Sequence, residues 1–240
     1  MATDRPLIVS SPPHGMDRDG LNERSGKERP GTSLERRSPS RSKRGGLLIA
    51  CGQRAGLYLT GLLHHLQLEN RVTLSLSTAE DPLSILENGH HAWATLGPFR
   101  RVYVVVCHDT PKEDWHRLVA CSPVGPTNHP IRFQKIASIP SFNLWLLLHW
   151  RELPPETWTH YDQLSAWVDD QLERYLPATA WCSPMEWFAT VGHGLVQAIA
   201  RGQQLSRQQG TVSTVLPMTN VHELASHLLK LHKESQRLQD

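Results

Sequence analysis

An α/β protein with a parallel sheet flanked by helices, followed by an all-helical C-terminal extension, is what the order of apolar segments predicts. Three observations carry that reading. Short apolar or β-branched runs alternate with stretches of helical periodicity between residues 47 and 137, the pattern of βαβ units joined by right-handed crossovers. A run that is apolar on nearly every side, Ile136 to Trp150, follows the last of them. Beyond Pro155 the strand signals stop and only helical spacing remains.

Taken in order, Leu47-Leu48-Ile49-Ala50-Cys51 follows Gly45-Gly46 and reads as a strand buried on both faces. Gly52-Gln53-Arg54-Ala55-Gly56 is expected to turn the chain, and Leu59, Leu62, Leu63 and Leu66 recur at helical spacing to about Glu69. Val72, Leu74 and Leu76 alternate with Thr73, Ser75 and Ser77 as a second strand. Asp81-Pro82 opens a helix to about Thr95, with Asp as N-cap and Pro in the first helical position. Arg101 to Cys107 is the strongest strand, and His108-Asp109-Thr110-Pro111 leads to a helix expected from Glu113 to Cys121. Ile131 to Ala137 is the fourth strand.

In the run that follows, Pro140 is expected in the first turn of a buried helix capped by Ser138 or Ser141 and stopped by Pro154-Pro155. It is shorter than the ~20 residues a membrane span needs. Three further helices are expected: Tyr161 to Leu176, Glu186 to about Gln208, and one starting at Asn220 with Glu223 completing a capping box.

The formal net charge of +2 conceals an asymmetry. Residues 1–46 hold ten Lys/Arg and six Asp/Glu, a net +4, against −2 for the other 194. Residues 1–45 lack apolar periodicity and are expected to be a disordered basic tail; 46–152 form the α/β core and 153–240 a helical region packed on it. Within the tail, Arg36, Arg37, Arg41, Lys43 and Arg44 form a patch suited to nucleic-acid phosphates, or to a solubilising lead-in. Four cysteines without CxxC pairing indicate neither a disulfide framework nor a zinc module. With no secretory leader visible, the expected location is cytoplasmic. No P-loop, Gly-x-Gly-x-x-Gly or Gly-x-Ser-x-Gly motif occurs.

Sites in parallel sheets form at the carboxyl ends of the strands. Here those ends are Cys51-Gly52, the region after Ser77, Cys107-His108-Asp109 and Ser138. Together with Ser138-Ile139-Pro140-Ser141-Phe142-Asn143-Leu144-Trp145-Leu146-Leu147-Leu148-His149-Trp150 and Pro217-Met218-Thr219-Asn220-Val221-His222-Glu223-Leu224, they resemble the RloB family of bacterial proteins over residues 45 to 232. The family signature Ser-Asn-Pro-x-Phe-Glu-x-Trp-Leu-Leu-Leu-His stands here with two changes, Ile139 and Asn143.

The resemblance implies a Toprim-like fold and a place in phage defence or abortive infection beside an AAA/ABC-type ATPase or another defence protein. It further implies a nuclease site in which carboxylates at the ends of the first and third strands hold Mg²⁺. In this chain the matching positions read Cys51, Gln53, Gly56 and Cys107, with Asp109 the one surviving acid and Asn143 in place of the signature glutamate. Thiols are poor ligands for a hard cation. The expectation is therefore a pseudoenzyme with no cofactor, working as a subunit with a partner, with a homo-oligomer also allowed.

Two alternatives stay open. One is an active Mg²⁺ nuclease using Asp109 with an acid such as Glu80 or Asp81; the other is a nucleic-acid-binding module driven by the tail. Cys51 and Cys107 end strands expected to be neighbours, within reach of a disulfide or soft-metal site, against the alternative of two inert buried thiols.

Overall fold

A computed structural model describes residues 46–97, 99–107, 133–154, 158, 160–176, 183–208 and 217–238, all within the unit formed by residues 40–240. The tail patch Arg36 to Arg44, the residues His108 and Asp109, and the helix expected from Glu113 to Cys121 lie outside the described residues.

Four parallel strands form the sheet: β1 (Leu47–Cys51), β2 (Val72–Leu76), β3 (Arg101–Val106) and β4 (Phe133–Ile139). A fifth strand, β5 (Met218–Thr219), pairs antiparallel with the end of β4, giving the order β2-β1-β3-β4-β5. The sheet is thus mixed, and the C-terminal part, expected to be wholly helical, contributes one edge strand to it.

The helices are α1 (Gln53–His65), α2 (Pro82–Leu96), α3 (Phe142–Leu147), α4 (Tyr161–Glu173), α5 (Pro184–Val191), α6 (Leu195–Gln208) and α7 (Val221–Gln236). Strand alternation sorts the sheet residues into two cores. Leu47, Ile49, Cys51, Tyr103, Val105 and Ile136 face α1, α3, α5 and α7. Leu48, Ala50, Val102, Val104, Val106 and Ala137 face Ile85, Leu86, Ala92 and Trp93 of α2. Each fully buried side chain of this size contributes about 1.5–3 kcal/mol of transfer free energy. A third cluster joins α3 to α4 through Leu144, Leu147, Leu164 and Val168.

The cap at Asp81 is as the sequence predicts: its carboxylate accepts from the Ser84 amide at 2.8 Å, with Pro82 opening α2. Four local expectations are corrected. The chain does not turn over Gly52–Gly56; α1 starts at Gln53, directly after an N-cap at Gly52. Pro140 is not in a helical turn. β4 runs on to Ile139, the Ile139–Pro140 bond is cis, and Ser141 is the N-cap of α3 without a side-chain cap bond.

The single helix expected from Glu186 to Gln208 is broken at Gly192-His193-Gly194, a 3₁₀ turn between α5 and α6. A side chain on Gly194 would strike the His149 backbone, so glycine is what lets this turn pack against it. Finally, Asn220 and Glu223 do not form a capping box. The Asn220 side chain accepts from the Ala137 amide at 2.6 Å and donates to the Lys135 carbonyl at 3.3 Å. Its amide caps the exposed edge of β4, which the short β5 leaves open.

Candidate functional site

The carboxyl edge of the sheet gathers groups from the ends of β1, β2 and β3 and from three helices. Cys51 ends β1, and Cys107 follows β3; both are buried free thiols. After β2 the chain stays on the same edge, because the Ser77 amide donates to the Cys51 carbonyl at 2.8 Å. The Ser77 hydroxyl then accepts from Ala79, bending the segment that presents Glu80.

Glu80 lies over the start of α1. Its carboxylate accepts from the Arg54 amide at 3.3 Å, placing a negative charge at the positive end of the helix dipole. A Cβ on Gly52 would overlap that carboxylate, so glycine at the end of β1 is what lets Glu80 settle there. Gly56, one turn on, is buried; a Cβ there would meet Leu76 Cδ2 at 2.5 Å and lie 3.7 Å from Cys51 Sγ. A longer side chain at position 56 therefore has no room unless Leu76 turns aside.

On the other flank, Arg54 Nη1 donates to Asn143 Oδ1 at 2.9 Å, and Asn143 Nδ2 donates to Asp169 Oδ1 at 2.6 Å. Asn143 is nearly buried at the start of α3, and Asp169 comes from α4. The two bonds require opposite ends of an amide, an acceptor toward the guanidinium and a donor toward the carboxylate. Asparagine meets both.

The thiols are held neutral. Burial pushes the Cys107 thiol up to about 12, and the Glu80 charge adds to it, against the Phe142 amide donating to the sulfur and the nearby Arg54 cation. Burial likewise drives Cys51 upward, reinforced by Cys107 and Glu80. β1 and β3 pair in parallel, with Cys51 opposite Val105, so Cys51 and Cys107 close adjacent strands. They remain unbridged thiols, and among the described residues no group of three His, Cys, Asp or Glu is arranged to hold a metal.

The fit to Mg²⁺ is correspondingly poor among the described residues. A hard cation asks for several carboxylate, carbonyl or water oxygens. Among the described residues this edge offers two thiols that burial keeps neutral, the Glu80 carboxylate committed to the α1 amino terminus, the Asp169 carboxylate bonded to Asn143, and a guanidinium that already supplies positive charge. Arg54 and Asp169 are the members that sequence reading missed. Arg54 sits in a segment read as a turn, and Asp169 comes from a helix 26 residues after Asn143 with no local motif to mark it.

His149 is a hydrogen-bonded core residue. Its Nδ1 faces the Trp145 and Leu146 carbonyls, each at 3.2 Å, and Nε2 lies 3.2 Å from the Tyr58 hydroxyl. Trp145 and Phe142 are buried around the same tyrosine. No helix among the described residues is long and apolar enough to cross a membrane.

Comparison with known proteins found no match among curated proteins and none among solved structures. The model of the RloB-like protein family does match, over residues 47–228, from the first residue of β1 into α7. That span takes in the sheet, the strand-end thiols, the Asn143 bridge and the C-terminal helices, and the chain belongs to the RloB-like family.

Proposed function

We propose that this chain is a non-catalytic or repurposed subunit of an anti-phage defence system, in which a Toprim-like nuclease site has lost its metal and the fold serves a partner ATPase or another effector. The observation that carries this reading is the chemistry at the ends of β1 and β3. Two buried thiols, kept protonated, stand where the family resemblance expects acids, and Arg54, Asn143 and Asp169 close the adjoining space with a hydrogen-bonded chain. Side chains tied to one another in this way favour a rigid surface over a ligand shell that must exchange water.

The test is direct. The protein incubated with single- and double-stranded DNA and RNA in Mg²⁺ or Mn²⁺ is expected to leave them intact, calorimetry with Mg²⁺ to show no binding heat, and the protein to co-purify from its native host with an ATPase or other effector. The rival reading, an active metal nuclease, has one observation in its favour: Glu80 brings a carboxylate to the end of β1 from the connection after β2. Metal-dependent cleavage that disappears in Glu80→Gln or Asp109→Ala would establish the rival and overturn the proposal.

A further inference from the structure

The opposite edge of the sheet has a site of different character. Parallel register aligns the amino ends of three adjacent strands: Leu47 pairs with Val72 and with Arg101. Two backbone bonds fasten the approach, Leu47 N–H to the Arg71 carbonyl and Arg100 N–H to the Gly46 carbonyl, each at 3.1 Å. Arg71, entering β2, and Arg100 and Arg101, entering β3, are thereby brought to the same edge of the sheet with β1 between them, two strand spacings of ~4.8 Å apart. With Gly46, His227 and Glu234 they line a pocket of about 280 Å³.

The charge there is unbalanced. Three guanidiniums face one carboxylate, Glu234. Arg71 is oriented by α7, donating to the Leu231 carbonyl at 3.3 Å and to Ser235 Oγ, but both acceptors are neutral. The ion pairs among the described residues, His64–Glu69 and Arg174–Asp170, involve none of the three. His227 is fixed by the Tyr103 hydroxyl at 2.9 Å. Its imidazole is held below the usual range by burial and by the Arg101 charge, with Glu234 opposing and Lys230 adding to the effect. Three guanidiniums set against a single carboxylate suit phosphate oxygens, which accept their paired donors.

We propose that this pocket binds backbone phosphates of a nucleic acid, at a site separate from the strand-end thiols. Sequence continuity favours a polymer over a single small anion: Gly46 lines the pocket, and five Lys/Arg lie between Arg36 and Arg44, immediately before it in the chain.

The test uses the full chain and fluorescent single- and double-stranded oligonucleotides, read by anisotropy across a salt series. Replacing Arg36, Arg37, Arg41, Lys43 and Arg44 with Gln isolates the pocket, and Arg100→Gln/Arg101→Gln is then added in that background. Both arginines are exposed, and unchanged circular dichroism and urea midpoint verify folding. Binding is expected to survive the tail substitutions, to weaken by about tenfold or more in the double variant, and to lose about 1.5 from its log–log salt slope. Affinity unchanged by Arg100→Gln/Arg101→Gln would overturn the proposal. So would a pocket that takes inorganic phosphate or ATP but no oligonucleotide.

Discussion

The Tyr58 hydroxyl and the His149 imidazole fix one another's protons at the centre of the larger core. His149 Nδ1 points at two carbonyl oxygens, which only accept, so Nδ1 carries the hydrogen. Neutral imidazole then has a bare Nε2, and Tyr58 donates to it across 3.2 Å. Around this pair Phe142, Trp145, Trp187 and Phe188 stack edge-on or tilted against Tyr58 with centroids 5.7–6.2 Å away. Tyr58→Phe keeps the ring and strands Nε2 without a donor. It is expected to lower stability by about 1–3 kcal/mol in urea unfolding.

The same pair makes stability depend on pH. Burial is the main cause that lowers His149 from 6.5 to about 4, with the Arg201 charge also lowering it and the two carbonyl bonds opposing. The unfolded chain takes up a proton near 6.5 while the folded chain stays neutral to about 4, so stability is complete above 6.5 and is lost as pH falls through that window. Between pH 7 and pH 5 the loss from this residue is about 2 kcal/mol. His90, His222 and His227 are lowered in the same direction and add to the slope. Chemical denaturation across pH 4.5–7.5 checks it: His149→Gln should flatten the dependence whatever it does to absolute stability.

At the carboxyl edge, Asn143→Asp is nearly isosteric but turns the donor aimed at Asp169 into a second carboxylate at hydrogen-bond distance. A loss of about 1–3 kcal/mol at pH 7 is expected. Acid should shrink the difference from wild type, since one carboxyl then holds a proton the other accepts. An equal loss at pH 7 and pH 4.5 would count against the bridge.

The two strand-end thiols should be chemically silent. In a Cys121→Ser/Cys182→Ser background, iodoacetamide at pH 8 should leave Cys51 and Cys107 unmodified in native protein and label both in urea, because the thiolate is the nucleophile and burial suppresses it. Fast native labelling of either, read by mass spectrometry, contradicts their neutrality.

Asn220 and Glu223 separate a sheet cap from a capping box. Asn220→Ala removes both bonds to β4 and leaves the Ala137 amide without its side-chain acceptor. It should lower the unfolding free energy by about 1–3 kcal/mol. Glu223 is exposed, and its carboxylate reaches Gln134 at 3.4 Å. Glu223→Ala should change stability by no more than about 0.5 kcal/mol.

What the sequence by itself determined follows from local rules of burial and capping. The unbroken apolar runs at 47–51 and 102–106 became strands covered on both faces, and the alternating run at 72–76 became the half-buried edge strand beside them. Asp81-Pro82 started α2 because cap chemistry needs only neighbouring residues. The strand-end thiols were legible for the same reason, since each closes a strand whose end is visible. Tertiary structure alone decided the remainder. Glu80 reached the α1 amino terminus because Gly52 left a space, Asp169 met Asn143 from another helix, and Asn220 spent its amide on β4 although local rules offered it a helix cap. Each of these bonds joins residues far apart in the sequence. At Asn143 and at the Ala137 amide the distant partner also satisfies a buried polar group, a condition no single segment encodes.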